Sequence, residues 1–266
     1  MNCILDGETR LFPIIGDPIE FAKSPQSLTA SFAAQKHNGI CIPTRVSAGD
    51  FDEVMRGLAR MQNVDGLLIT MPHKSIAFDY CATSSETSRL RCSVSVMRRS
   101  PNGYWHGDVL DGRAFVKAQV DAGAVPNGAR ILLVGAGSAG APIAIVLLHA
   151  GARELRLHDA DETRVDELIG LAPDPFRGRM VSCPADPTGC EMVCNATPMG
   201  LGSDDPLPVD ADALTSSMSV GAVIAGHGVT PFLQAAQAAG CKTANGMQMV
   251  DSVQEMMVSF MLGEAS

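Results

Sequence analysis

Short apolar runs alternate with amphipathic stretches along most of this chain. After Arg10, residues 11–19 ("LFPIIGDPI") follow the pattern of a buried strand that breaks into a turn. Residues 24–39 ("SPQSLTASFAAQKHNG") predict a helix, with Ser24 at the cap, Pro25 at the first helical position and Asn38-Gly39 at the stop. Residues 40–47 predict a strand. In residues 50–61 the side chains Phe51, Val54, Met55, Leu58 and Met61 share one helical face, and Asp50 with Glu53 has capping-box spacing. "VDGLLITMP" then predicts a strand ending at Pro72. This strand–helix rhythm is that of parallel α/β architecture.

Two further strands are expected at residues 93–99 and 103–108, joined by the hairpin-type turn "SPNG". Asp111 opens a helical stretch, and "AVPNGAR" is a linker with breakers at both ends. A second α/β series follows: strand 131–134, helix 138–150, strand 154–158, helix 162–170, and strands near 180–182, 191–197 and 220–225. "TPFLQAAQAAG" predicts a capped helix, and "MQMVDSVQEMMVSFML" a long Met-rich one. No repeat or low-complexity run interrupts this order. It predicts two α/β lobes with a boundary near residue 105.

Composition narrows the picture. Of the 266 residues 46% are apolar but only 5% aromatic, so Val, Leu, Ile, Met and Ala must build the core. The net charge of −9 argues against nucleic acid or an anionic membrane as partner. Cys3, Cys41, Cys81, Cys92, Cys183, Cys190, Cys194 and Cys241 are scattered without a C-x-x-C pair, as expected of free thiols in a reducing cytoplasm. The acidic start lacks the basic region of a signal peptide, and "APIAIVLLHAGA" is too short to span a bilayer. No His, Asp or Glu cluster has metal-ligand spacing, and the terminal methionines read as core.

The clearest chemical signal is "ILLVGAGSAG". Gly135, Gly137 and Gly140 form G-x-G-x-x-G directly after a predicted strand and at the opening of a helix. Gly135 permits the tight turn, Gly137 lets a pyrophosphate approach the backbone, and Gly140 allows helix and strand to pack closely. Asp159 ends the next strand 19 residues after Gly140, near the offset at which a carboxylate binds the adenosine ribose. A carboxylate there accepts from a 2′-hydroxyl and repels a 2′-phosphate, and Arg164 is the only nearby cation, so NAD is expected over NADP. Upstream, Lys74 and Asp111 each sit where a strand gives way to a helix, the rim at which α/β folds place ligands. Such a pair suits proton relay from a hydroxyl, although Lys74 could equally be a surface lysine and Asp111 a helix cap. His73 and His227 flank these positions and read as neutral, satisfied side chains.

"IIGDPIEFAKSPQ", "ITMPHK", "WHGDVLDG", "GAGSAG", "NATPMG" and "VTPFLQAAQAAG" occur in that order, and together they resemble the shikimate/quinate dehydrogenase family over essentially the whole chain. The resemblance implies an N-terminal α/β substrate domain over 1–105, to which a C-terminal helix over 247–266 returns. It implies a Rossmann-type NAD(P)-binding domain over 106–246. It implies reversible oxidation of a ring secondary alcohol to the ketone, with Lys74 and Asp111 as the catalytic pair. Ser24 and Thr70 fall on substrate positions. The cofactor would lie along Gly135, Ala136, Gly137, Ser138, Ala139 and Gly140, along Asp159, Ala160 and Arg164, and along Asn195, Ala196, Thr197, Pro198, Met199 and Gly246. Gly200 closes the same "NATPMG" motif.

The departures from the family carry information too. Ala22 stands where a serine helps hold the substrate carboxylate, Leu68 and Val94 stand for asparagines, and Ala225 stands for a tyrosine. Val253 occupies the position of a glutamine, with Gln254 beside it. A site built to hydrogen-bond a polyol binds poorly once its partners go, so shikimate and quinate are expected to be weak substrates. Ala160, in place of the arginine that holds a 2′-phosphate, agrees with NAD. The partner expected is a small cyclic alcohol that is a carboxylate, and the chain is expected to act as monomer or homodimer, without nucleic acid or membrane partners. The alternatives are a dehydrogenase for a less polar cyclic alcohol and a non-catalytic NAD-binding regulator. A folate dehydrogenase is disfavoured because Thr70, not Tyr, precedes Lys74 by a turn.

Overall fold

The computed structural model describes residues 5–20, 22, 24–202 and 204–263. Cys3, Phe21 and Lys23 of the sequence motifs, and the last three residues of the expected returning segment, lie outside them. The chain divides into two compact units, residues 1–110 with 254–266 and residues 111–253. The division falls after residue 110 rather than near 105. The strand at Trp105–Asp108 pairs with Val96–Arg99 and so belongs to the first sheet.

The first unit is built on β1 (Arg10–Gly16), α1 (Ser24–Ala34), β2 (Gly39–Arg45), α2 (Phe51–Leu58), β3 (Gly66–Ile69), α3 (Lys74–Phe78), β4 (Cys81–Ser84), α4 (Glu86–Arg91), β5 (Val96–Arg99) and β6 (Trp105–Asp108). Its sheet runs β2-β1-β3-β5-β6-β4, with β1 parallel to β2 and β3, and β5 antiparallel to both β3 and β6. Alternation along β3 sends Leu68 to one face and Leu67 and Ile69 to the other. On the first face Leu68 packs with Phe12, Leu28 and Phe32, and with Val258, Phe260 and Met261 from the chain's last helix. On the second, Phe51, Met55 and Ala77 cover Leu67, Ile69 and Met97.

Several local expectations are corrected. Helix α1 stops at Ala34, not at Asn38-Gly39. Lys36 takes the left-handed conformation (φ 59°), His37 N–H donates to Phe32 O at 2.9 Å, and Gly39 is thereby freed to open β2 beside Arg10. The Asp50–Glu53 capping box does not form. Asp50 has helical dihedrals and makes no cap bond, and its carboxylate accepts from Ser47 Oγ at 2.7 Å. The expected strand at 64–72 is only four residues long, because the chain turns after Ile69 to begin α3. Strand β4 and helix α4 were not legible as elements: "CATS" has no buried side chain.

The second unit comprises α5 (Asp111–Asp121), β7 (Arg130–Val134), α6 (Gly140–His149), β8 (Glu154–His158), α7 (Glu162–Leu171), α8 (Asp174–Arg177), β9 (Met180–Ser182), β10 (Met192–Asn195), β11 (Ser219–Ala222), α9 (Pro231–Ala238), β12 (Lys242–Ala244) and α10 (Gly246–Leu262), whose last turns belong to the first unit. All six strands are parallel, in the order β12-β11-β10-β7-β8-β9. The order of strand addition reverses between β7 and β10, which is the doubly wound Rossmann order with its switch point at the carboxyl ends of those strands. Thr230 precedes α9 but makes no cap bond, and its buried hydroxyl has no partner among the described residues. Pro231 at the first turn, which needs no N–H there, starts this helix instead. No helix among the described residues is long and apolar enough to cross a membrane.

Candidate functional site

The glycine loop lies at the switch point. Gly135 has φ 101°, and a Cβ there would come within 3.0 Å of the Ala196 carbonyl. A Cβ on Gly140 would lie 1.8 Å from Gly135 O, so helix α6 can pack against its own loop only as glycine. Gly137 differs: a Cβ would meet nothing nearer than Arg164 Nη1 at 3.9 Å. The backbone at Gly137 is thus open to an approaching group, and Ala139 caps α6 without any side-chain bond to its amides. These features fit a pyrophosphate.

Asp159 follows β8, and its side chain is only 10% exposed. One oxygen accepts from Ala136 N at 2.8 Å and the other from Asp161 N at 3.0 Å. The carboxylate therefore shapes the glycine loop as well as ending the strand. Arg164 reaches Asp159 at 3.8 Å and Asp161 at 3.5 Å, so its charge is shared between two carboxylates. Ala160 brings no cation of its own.

Beside the loop, Asn195 is fully buried at the end of β10. Its Oδ1 accepts from Thr197 N (3.0 Å) and Thr197 Oγ1 (2.6 Å), and its Nδ2 donates to Met199 O (3.0 Å). Thr197 Oγ1 in turn accepts from Met199 N. This mesh fixes the Ala196–Pro198 backbone against Gly135. Gly246 starts α10 where a Cβ would collide with Ile224 O, holding that helix to the carboxyl end of the sheet. Ala225 and Val253 are half-buried, and His227 is exposed.

In the first unit Lys74 is the first residue of α3 and half-buried. His73 before it is buried, with Nε2 2.7 Å from Val46 O and its ring stacked on Phe51 at 4.6 Å. Lys74 O accepts from Val94 N at 2.9 Å. Ser24, Thr70 and Ala22 are half-buried at the carboxyl end of the sheet, whereas Leu68 (1% exposed) and Val94 (0%) are core side chains in separate clusters. Asp111, half-buried, begins α5 directly after a turn at residues 108–110. Sequence reasoning did not single out Asp108, buried at the start of that turn, or Ser95, buried just before β5, whose hydroxyl accepts from Leu110 N. The signal was present in "SVSV", where a serine stands among residues of a covered strand.

Among the described residues no group of three or more His, Cys, Asp and Glu side chains is placed to hold a metal. The thiols of Cys41, Cys81 and Cys194 are pushed up to about 12 by burial, out of the range of nucleophiles at neutral pH.

A Rossmann unit with an open glycine loop, following an α/β unit that carries a rim lysine, defines a nicotinamide-dinucleotide oxidoreductase acting on CH–OH. A family model described as the shikimate dehydrogenase substrate binding domain matches residues 14–95. The NADP(+)-dependent shikimate dehydrogenase of Rubrobacter xylanophilus is 32% identical over 256 residues, covering 92% of this chain and 88% of the relative. The chain belongs to the shikimate dehydrogenase family. Its fold is shared by shikimate 5-dehydrogenase of Listeria monocytogenes, solved with shikimate and NAD (TM-score 0.89, 22% identity, 99% and 96% of the two chains covered). The ligand-free 5-ketofructose reductase of a Gluconobacter strain has the same fold (TM-score 0.86, 24% identity, 97% and 94% covered).

Proposed function

We propose that the protein reversibly oxidises a ring secondary alcohol to the ketone, with NAD preferred over NADP, and that shikimate and quinate are not its best substrates. The observation that carries this reading is that Lys74 and Asp111 stand at strand-to-helix junctions, while Ala22 and Ala225, half-buried, stand where the resemblance implies polar residues; Leu68 and Val94, also at such positions, are core side chains and offer a substrate nothing.

The bound dinucleotide supplies the hydride acceptor. Lys74 accepts or relays the hydroxyl proton, and Asp111 orients the hydroxyl. Ser24 and Thr70 keep hydroxyls for the substrate. Gly137 and the first amides of α6 receive the pyrophosphate, and Asp159 accepts from the ribose. The NAD preference rests on Asp159, on Ala160 and on Arg164 being already paired to Asp159 and Asp161. Residues 1–110 with the last turns of α10 would form the substrate domain and 111–253 the dinucleotide domain.

Lys74→Ala tests the roles. Positioned proton transfer contributes about 10²–10⁴-fold, so kcat should fall by that order while calorimetry finds NAD affinity unchanged. Full activity in this variant would refute the assignment.

A second reading, an uncharged sugar-like ketone as substrate, is favoured by one observation. Ala22 offers no hydroxyl where the resemblance implies a serine that holds a carboxylate. The Gluconobacter neighbour, named for reduction of a ketofructose, shows that this fold serves such a compound. A matched pair of ring alcohols, one a carboxylic acid and the other its methyl ester, separates the two readings. Higher kcat/KM for the ester supports the second.

A further inference from the structure

The turn between β6 and α5 is held by a side chain where a backbone bond would be expected. The β5–β6 ladder ends at the pair Val96↔Asp108. One residue earlier on β5's approach, Ser95 N donates to Asp108 O at 2.8 Å and Ser95 O accepts from Ile69 N at 2.9 Å. The Ser95 hydroxyl then does what no carbonyl does here: it accepts from Leu110 N at 3.3 Å and lies 3.4 Å from Asp108 O, to which it donates. Leu110 is fully buried and Ser95 is 4% exposed, so no solvent can substitute for that hydroxyl. The Asp108 carboxylate holds the middle of the turn, accepting from Val109 N at 2.7 Å and from Ser85 Oγ. The neighbour of Ser95 on its other side, Val94, donates its N–H to Lys74 O. Two adjacent residues therefore grip the start of α3 and the residue that precedes Asp111.

We propose that Ser95 is a positioning residue for Asp111: its hydroxyl fixes Leu110, and through Leu110 the point from which Asp111 emerges. The inference rests on the role proposed for Asp111. Without the hydroxyl the buried Leu110 amide has no partner, and the turn must shift to find one. A displacement of the order of 1 Å at a reacting group costs about 10²-fold.

Three variants test it in the full chain, with shikimate, quinate and their methyl esters as probe substrates at saturating concentration. Ser95→Ala, and the similarly sized Ser95→Cys with its weak acceptor, should lower kcat by about 10–100-fold. NAD affinity should stay unchanged, and Tm should fall far less than a general loss of folding would require. Ser95→Thr, which keeps the hydroxyl, should restore most of kcat. Wild-type kcat in Ser95→Ala or Ser95→Cys overturns the proposal. So does a loss of kcat that only follows a loss of Tm and NAD affinity and is not restored by Thr. A wild-type enzyme that turns over none of these probes and no other ring alcohol sinks the reading of the reaction, and this inference with it.

Discussion

Asp159 holds the Ala136 amide of the glycine loop and is the group we propose for the ribose, and that shapes what its replacement should do. Asp159→Asn keeps an acceptor for Ala136 but removes the charge, a change worth about 1.5–3 kcal/mol for a charge-assisted bond. Calorimetry should show NAD weakened and its margin over NADP narrowed. An unchanged margin would place the preference elsewhere. The thiols offer a separate check at this scale. Burial holds Cys41, Cys81 and Cys194 protonated, with pKa pushed up to about 12, whereas Cys92 is exposed. Alkylation of the native protein, read by mass spectrometry, should mark Cys92 and spare those three. Labelling of Cys194 before Cys92 would contradict the core as described. The close approaches at Gly135 and Gly140 were legible because each answers a steric demand that the spacing reveals, whereas Gly137 meets no such demand. Ser95 was not legible, because its importance depends on which amide the β6–α5 turn leaves unpaired, and that is set by strand register.

At the scale of elements, two glycines of one loop should separate by experiment. Gly140→Ala puts a Cβ 1.8 Å from Gly135 O, so backbone must move and Tm should fall. Gly137→Ala meets no atom closer than 3.9 Å, so it should fold normally and lose affinity for the dinucleotide. Thermal melts with and without NAD check both. Loss of stability in Gly137→Ala with binding intact would invert the account of the loop. The strongly patterned elements, such as α2 and β7, were legible from periodicity. Their ends were less so. Asp50 has the composition of a cap, yet it binds Ser47 because the loop before α2 brings that hydroxyl nearer. Helix α1 ends at Ala34 because β2 must begin opposite Arg10, a demand made by a neighbouring strand and invisible to local sequence. Strand β4 escaped notice because it is an edge strand with no buried side chain.

For the whole molecule, the order of elements was readable where a short apolar run is followed by a helix, as β7 is by α6 and β8 by α7, whereas β12, with one buried side chain, and the four-residue α8 escaped it. The parallel order β12-β11-β10-β7-β8-β9 of the second sheet follows from right-handed crossovers about one switch point. The membership of the last helix was readable only from the resemblance. Its Val258, Phe260 and Met261 pack on Phe12 and Leu68 of the first unit, contacts that no periodicity in α10 identifies. The most direct measurement is a steady-state assay of the purified wild-type chain, following formation of reduced dinucleotide from NAD and from NADP. Shikimate, quinate, their methyl esters and other uncharged ring alcohols would each be supplied. The account predicts turnover of a ring alcohol with NAD favoured over NADP, and a high KM for shikimate and quinate. Efficient turnover of shikimate with NADP at an ordinary micromolar KM, or no turnover of any ring alcohol with either dinucleotide, would contradict it.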